Sequence, residues 1–382
     1  MKRSFFLDQI HHQFSVHPIV GLIGPRQVGK TTLATQYADA YKGYYGSVAF
    51  FDLENPTHFD LLENPLLVFE RQPGLIIIDE IQRKPDLFPV LRVFADKGKR
   101  FLILGSSSPH LIQSCAESLA GRMAYIELVP FSIDEVPDLK QLWIRGGYPR
   151  SYLSDNENNS FEWRRQYIKH FLERDIPALG ISIPENRLRK FWMMLAHYHG
   201  QIVNYSEIGK SLQVKDATIR RYLDLLVGTF MVRELQPWHA NISKRQVKSP
   251  KFYFKDSGIL HFFLNTVNET QLESHPQLGS SWEGFLLETI IRKYNAYPEE
   301  CYFWATQAQA ELDLLIFKGG KKLGFEFKYS DRPQVTRSMQ IALQDLGLDS
   351  LTVVYPGNEN FDLGDTIKVW GVGSNHYNGP LP

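Results

Sequence analysis

The sequence predicts an α/β fold: a parallel sheet covered by helices in the first third, a helical middle, and a second α/β segment at the C-terminus. Three observations carry this. Short, almost wholly apolar runs (Ile19–Gly24, Ser47–Glu54, Gly74–Glu80 and Arg100–Ser107) alternate with helical spacing, and continuous apolar strands between helices are what a sheet buried on both faces requires. A polar stretch, SDNENNS at Ser154–Ser160, then has no core to offer, and helical spacing runs from Phe161 to about Leu235. From about Leu272, WEGFLLETIIRKY reads as a helix and ELDLLIF and KLGFEFK as strands, with Gly319 and Gly320 marking a hairpin between them. The expected domains are therefore 1–155, 156–270 and 271–382.

Composition bounds the rest. A chain of 382 residues implies two or three domains, and 43% hydrophobic with 22% charged residues excludes wholesale disorder, collagen and coiled coil. Lys+Arg and Asp+Glu are both 42, so no global field attracts a polyanion or a membrane, and nucleic-acid contact requires a local patch. Two distant cysteines, Cys115 and Cys301, exclude a disulfide framework and favour a reducing compartment. The opening MKRSFFLDQI is broken by Asp8, with His11 and His12 beyond it, so no signal-peptide core is expected. No apolar run approaches the length of a membrane helix. The expectation is a soluble, cytoplasmic protein with no membrane partner.

The first chemical signal is GPRQVGKT, comprising Gly24, Pro25, Arg26, Gln27, Val28, Gly29, Lys30 and Thr31, followed by Thr32. It fits G-x-x-x-x-G-K-[ST] between an expected strand and an expected helix. Glycines let backbone amides close on phosphate oxygens, and the helix N-terminus adds a positive dipole end. Lys30 would reach the β- and γ-phosphates of ATP and the Thr31 hydroxyl would ligate Mg²⁺. The second signal is LIIIDE, a strand ending in two carboxylates. Asp79 is the candidate for the metal's water shell and Glu80 for polarising the attacking water.

With LILGSSSPHL and SLAGR added, the chain resembles an AAA+-type ATPase family of bacteria and archaea whose members carry a poorly characterised C-terminal domain. The resemblance implies that Ser106 or Ser107 senses the γ-phosphate. It makes Arg122, in Leu119–Arg122, the candidate arginine finger or sensor, with a surface salt bridge as the equal alternative. A trans-acting arginine would need a homo-oligomer. Arg145 and Arg174 also match family-like stretches without an assignable role.

Residues 204–232 resemble a winged helix-turn-helix, with helices at Ser206–Leu212 and Ala217–Leu226 around a turn at Val214–Asp216. Ile219, Tyr222, Leu223 and Leu226 form one apolar face. Lys215, Thr218, Arg220 and Arg221 fall off it and are expected to be free for DNA; a helix pair that only packs is the alternative. Between Met231 and Lys255 lie six basic residues (Arg233, Lys244, Arg245, Lys248, Lys251 and Lys255) against the single acid Glu234. That excess resembles a phosphate-binding wing.

The C-terminal layout Glu283…Asp313…Glu326-Phe327-Lys328 resembles the PD-(D/E)XK nuclease constellation. Strand alternation sends Glu326 and Lys328 to one face and Phe325 and Phe327 to the other. At about 100° per residue Glu283 lies amid the apolar arc of its helix, whereas Glu288 lies opposite with Arg292, where it can sit in water. Glu283, Asp313 and Glu326 are thus the candidate metal ligands, with Asp313, Glu326 and Lys328 catalytic; if cleavage is absent, Glu326 and Lys328 form a structural ion pair. Ala305 and Thr306 stand after YFW, where the family tends to have an arginine.

The expected architecture is thus an AAA+-like P-loop sheet domain, a winged-helix middle and a restriction-endonuclease-like α/β domain. The expected function is ATP binding and hydrolysis coupled to DNA binding or cleavage. The alternative is a nucleotide-gated DNA- or protein-binding switch with negligible turnover.

Overall fold

The computed structural model describes residues 1–107, 119–181, 183–240, 245–364 and 366–373. Packing divides the chain into two compact units, Met1–Pro130 with Leu225–Met231, and Phe131–Asp224 with Val232–Pro382. The expected boundaries at 155 and 270 fall inside the second unit. No helix among the described residues is long and apolar enough to cross a membrane.

The first unit is built on β1 (Ile19–Ile23), β2 (Val48–Asp52), β3 (Leu75–Asp79), β4 (Arg100–Gly105) and β5 (Met123–Glu127), in the order β2-β3-β4-β1-β5 and parallel throughout. Alternation along β3 shows why the run must be apolar at every position. Leu75 and Ile77 enter one core with Phe6, Ile10 and Phe14 of the helix Ser4–Val16 and Leu33 and Tyr37 of the helix Lys30–Tyr45. Ile76 and Ile78 enter the other with Leu87, Phe88, Leu91 and Phe94 of the helix Leu87–Asp96. The strands end together, so the loops after β1, β2, β3 and β4 share the carboxyl edge of the sheet, the edge where open α/β sheets bind ligands.

The second unit carries a mixed sheet in the order β13-β14-β12-β11-β10-β9-β7-β8-β6 among the described residues. Its strands are β6 (Gln201–Ile202), β7 (Val232–Pro237), β8 (Lys251–Phe254), β9 (Cys301–Ala305), β10 (Glu311–Lys318), β11 (Lys321–Phe327), β12 (Ser350–Tyr355), β13 (Phe361–Asp362) and β14 (Ile367–Gly371). β10 and β11 form an antiparallel hairpin closed by Gly319 and Gly320 at φ 59° and 78°, the left-handed pair a two-residue turn requires. The helix Leu278–Lys293 packs Trp282, Leu286, Leu287 and Ile290 against Leu314, Ile316, Phe325 and Phe327. The helix Arg337–Leu346 packs Met339, Ala342 and Leu346 against Leu312, Leu315, Leu351 and Val353. Leu312 and Leu315 share a face although three apart, and the β9–β10 register shifts between them. Asp313 therefore sits at a bulge, a device that re-aims a side chain.

In the middle of the chain, Asn204 caps a helix over Tyr205–Leu212 by accepting from the Glu207 amide, and Gln213 turns the chain at φ 54°. A second helix follows at Asp216–Gly228, then the antiparallel pair β7–β8. Ile219, Tyr222, Leu223 and Leu226 are all buried.

Candidate functional site

The loop after β1 enters the helix Lys30–Tyr45 through Gly29, at φ 99°. Gly24 sits at φ 147°, and a Cβ there would lie 2.2 Å from the Leu128 carbonyl oxygen, so only glycine fits. Lys30 is buried and its Nζ donates to the carbonyls of Gly24 (2.9 Å) and Pro25 (2.8 Å), which places the ammonium inside the loop. Thr31 Oγ1 donates to Asp79 Oδ2 at 2.6 Å, joining the helix start to the end of β3. The Glu80 amide donates to Asp79 Oδ1 at 2.9 Å. Burial raises the Asp79 carboxyl above its usual range, opposed by the Thr31 hydrogen bond. A hydroxyl and a carboxylate side by side at the helix N-terminus suit a hard, oxygen-seeking cation such as Mg²⁺.

Glu80 adopts φ 55°, left-handed for a non-glycine residue, a conformation that costs on the order of 1 kcal/mol and collects at functional sites. Its carboxylate accepts from Gln82 Nε2 and from Ser106 Oγ (3.3 Å), while Gln82 Nε2 also donates to Ser106 Oγ (3.0 Å). Ser106 thus stands beside Glu80. Ser107 Oγ is buried with no hydrogen-bond partner among the described residues. Arg26 Nη2 donates to Glu54 Oε1 (2.9 Å) and lies 3.7 Å from Glu80 Oε2. Glu54 and Gln82 escaped the sequence reading; both lie next to strand-end carboxylates, the one position signal available. Gln27, at φ 60°, Val28 and Thr32 complete the loop and helix start.

Arg122 lies elsewhere. It precedes β5, and its carbonyl accepts from the Ile19 amide at the start of β1, so it sits at the amino edge of the sheet, roughly 13 Å of strand away from the loops above. Its guanidinium forks onto Asp96, Nε to Oδ1 at 2.6 Å and Nη2 to Oδ2 at 3.1 Å. That position rules out Arg122 as a finger on its own chain's phosphate. In the second unit, Arg145 is held by Glu157 and by the carbonyls of Tyr152 and Ser154. Arg174 is exposed in a π-helical turn at Phe171–Asp175.

The C-terminal residues meet in one cluster. Lys328 Nζ lies 2.7 Å from Glu326 Oε2 and 4.0 Å from Asp313 Oδ2, and Asp313 Oδ2 accepts from the Phe327 amide at 2.9 Å. Glu283 accepts from the Tyr253 hydroxyl at 2.6 Å and lies 3.6 Å from Lys251 Nζ, which also pairs with Glu311. Burial, then the neighbouring Asp313, pushes Glu326 up to about 8, and burial pushes Glu283 up to about 7. Asp313 is raised by burial as well. Burial works against the Lys251 ammonium, but Glu283, Glu311 and Asp313 outweigh it and hold it above the usual lysine range. Among the described residues no three His, Cys, Asp or Glu side chains converge as a ready metal-ligand set; ammonium groups stand on these carboxylates instead. Lys251, Tyr253 and Glu311 were not legible as members.

Two sequence expectations need correction here. Glu288 does not sit in water: it is buried and forked by Arg233, Nη2 to Oε2 at 3.0 Å, because β7 covers that side of the helix. Arg233 holds it down at about 2 against the burial that would raise it. Two of the six basic residues leave the expected wing for the same reason, since Arg233 turns inward to Glu288 and Lys251 inward to Glu283 and Glu311. Arg220 is not free for DNA either; it pairs with Asp224 and Glu234, both at 3.0 Å, and donates to the Tyr205 hydroxyl. Lys215, Arg221, Arg245 and Lys248 are exposed. Lys244 and Cys115 lie outside the described residues.

A phosphate-type loop at the carboxyl edge of a five-stranded parallel sheet, faced by a strand ending in two carboxylates, defines a P-loop protein of the AAA class. The chain matches the family described as AAA domain over residues 16–137, and two families described as domains of unknown function over 136–270 (DUF8612) and 278–374 (DUF4143). It is 46% identical to uncharacterized proteins of Mycobacterium tuberculosis and Mycobacterium bovis over 92% of this chain and 79% of theirs. The chain belongs to the same family as these proteins. An uncharacterized protein of Methanocaldococcus jannaschii is 22% identical over 75% of this chain and 69% of its own. Among solved structures, the Walker-type ATPase PABY2304 of Pyrococcus abyssi superposes with a TM-score of 0.49 at 13% identity, covering 69% of this chain and 95% of that one.

Proposed function

We propose that the protein hydrolyses ATP and that its nucleotide state governs nucleic-acid binding. The observation that carries hydrolysis is the 2.6 Å contact between Thr31 and Asp79 at the mouth of a loop whose lysine points inward. Amides of Gly24–Thr31 would cradle the phosphates, and Lys30 would exchange the Gly24 and Pro25 carbonyls for β- and γ-phosphate oxygens. Thr31, with Asp79 on the water shell, would hold Mg²⁺, which would supply charge neutralisation at those oxygens. Glu80 would take the proton of the attacking water, oriented by Gln82 and Ser106. Phosphate release measured on wild type and Lys30→Ala tests this: release should vanish in the variant, and unchanged release would sink the reading.

DNA contact is supported by the two-helix segment followed by a strand pair and by the exposed Lys215, Arg221, Arg245 and Lys248. Filter binding with and without ATP separates an ATPase coupled to DNA from a switch, which changes affinity while phosphate release stays at background. A second reading, metal-dependent cleavage, is favoured by the meeting of Glu283, Asp313, Glu326 and Lys328 in a PD-(D/E)XK-like arrangement. The oxygen donors are of the kind a hard cation takes, but no three of them converge as a ligand set, so a cation would have to displace Lys251 and Lys328 from them. Linear and supercoiled DNA incubated with Mg²⁺ or Mn²⁺ decides it: identical patterns from wild type and an Asp313→Ala, Lys328→Ala double variant leave the cluster structural.

A further inference from the structure

Hydrolysis of a triphosphate is accelerated when an arginine, in addition to the P-loop lysine and Mg²⁺, meets the charge growing on the γ-phosphate. Arg122 is on the far edge of its own sheet and forked by Asp96, and Arg145 is enclosed by Glu157 and carbonyls. Arg26 is placed differently. It belongs to the phosphate loop itself, and its Nη2 lies 3.7 Å from Glu80 Oε2, so its guanidinium already stands beside the carboxylate that would activate water. It is anchored by Glu54, at 2.9 Å, and Glu54 in turn lies 3.8 Å from Arg83 Nη1. The Arg26 side chain is 27% exposed and Glu54 45%, so the pair is accessible from solvent.

We propose that Arg26 is the transition-state arginine of this ATPase, supplied in cis from the third position of the phosphate loop, and that Glu54 is the anchor it exchanges for the γ-phosphate. The proposal rests on the ATPase reading above. A γ-phosphate carries more negative charge than the single Glu54 carboxylate and presents oxygens that a guanidinium can fork. Arg26 then moves off Glu54 and Glu80 onto the γ-phosphate. Glu80 keeps its hydrogen bonds from Gln82 and Ser106 but loses the neighbouring guanidinium, and its oxygen becomes available to water. The water oxygen bonds to the γ-phosphorus and its proton passes to Glu80. The bond from that phosphorus to the β–γ bridging oxygen breaks, and its electron pair stays on ADP. ADP lacks the γ-phosphate that Arg26 forks, so the exchange distinguishes triphosphate from diphosphate.

The test measures kcat and KM for phosphate release, and affinity for fluorescent ADP and for a non-hydrolysable ATP analogue, in wild type, Arg26→Ala, Arg26→Lys and Glu54→Gln. Arg26→Ala should lower kcat about 10³-fold or more. Its ADP affinity should stay within about threefold of wild type, with the preference for the ATP analogue lost. Arg26→Lys, which keeps the charge without the fork, should restore little of kcat. Glu54→Gln should tighten the ATP analogue relative to ADP. A kcat for Arg26→Ala within fivefold of wild type overturns the assignment, and so does equal loss of ADP and ATP-analogue affinity, which marks a merely structural loop residue. Wild type that binds nucleotide but releases no phosphate sinks the ATPase reading, and the assignment with it.

Discussion

Replacing Arg233 by alanine should destabilise the protein strongly at neutral pH and much less in acid. Glu288 is 3% exposed and is forked by Arg233, with Arg292 4.0 Å away. In the folded protein its carboxyl is held at about 2, against an ordinary 4.5. A depressed folded value contributes stability that is present above the ordinary value and lost as pH falls through about 2. The difference corresponds to about 3 kcal/mol at pH 7. Removing the arginine takes away the fork and leaves the buried carboxylate only the more distant Arg292 and Lys255. The loss, up to about 3–5 kcal/mol, eases as pH falls because burial then favours the protonated Glu288. Urea unfolding followed by tryptophan fluorescence at pH 7 and pH 4 reads the effect, with Glu288→Gln added in the variant background to relieve it. Nucleic-acid affinity measured on the folded variant should be unchanged, since the guanidinium faces the protein interior. A loss below about 1 kcal/mol at pH 7, equal losses at both pH values, or weakened nucleic-acid binding would refute the reasoning.

The other predictions are briefer. Gly24→Ala should abolish nucleotide binding and lower the melting temperature, because its Cβ would meet the Leu128 carbonyl at 2.2 Å; a variant that binds ATP normally contradicts the packing. Glu80→Gln should bind ATP yet release phosphate at least about 10²-fold more slowly, and near-wild-type release would remove Glu80 from the chemistry. Glu326→Gln should melt higher than wild type at pH 9 and equally below pH 4, since a carboxyl raised to about 8 contributes stability at low pH that is lost as pH rises through that value; equal melting curves at both pH values would contradict this. Lys215→Ala, Arg221→Ala and Lys248→Ala should each lower the salt slope of DNA binding by about 1, whereas Arg220→Ala should cost stability first; unchanged slopes would count against a DNA surface there.

The local features were legible where one physical demand fixes the residues. A sheet buried on both faces requires apolar residues at every position, so the runs at Ile19, Gly74 and Arg100 announced their strands, and Gly-Gly between two strands announced a hairpin. The phosphate loop was legible because close backbone approach admits glycine at position 24. What failed was the direction of charged side chains. Helical spacing put Glu288 opposite the apolar arc, which means water only if no element covers that side; β7 covers it, and Arg233 comes with it. Counting cations between Met231 and Lys255 likewise could not tell Lys248, on the surface, from Lys251, whose partners Glu283 and Glu311 come from far along the chain. For Arg122 the sequence left a finger and a surface salt bridge level, because sequence order does not say at which edge of a sheet a residue stands; the parallel register puts it at the amino edge, where it forms the salt bridge to Asp96.

One helix carries two carboxylates with opposite fates, and the contrast bears on the C-terminal cluster. Glu288 and its partner are matched, one carboxylate forked by one guanidinium, which is how a structural ion pair is satisfied. Glu283, a turn and a half earlier, belongs to a cluster in which Glu283, Glu311, Asp313 and Glu326 share two ammonium groups. Stability gains nothing from such an excess, because a matched pair or an apolar set at the same volume would fold at least as well. The two lysines come from different strands, β8 and the end of β11, and the acids from the helix, β10 and β11, so the excess is assembled by the tertiary fold rather than by one acidic run. Burial and mutual repulsion push Glu326 up to about 8 and Glu283 up to about 7, so this cluster meets its excess of acids by holding protons, whereas Glu288 meets burial with the Arg233 guanidinium and stays charged.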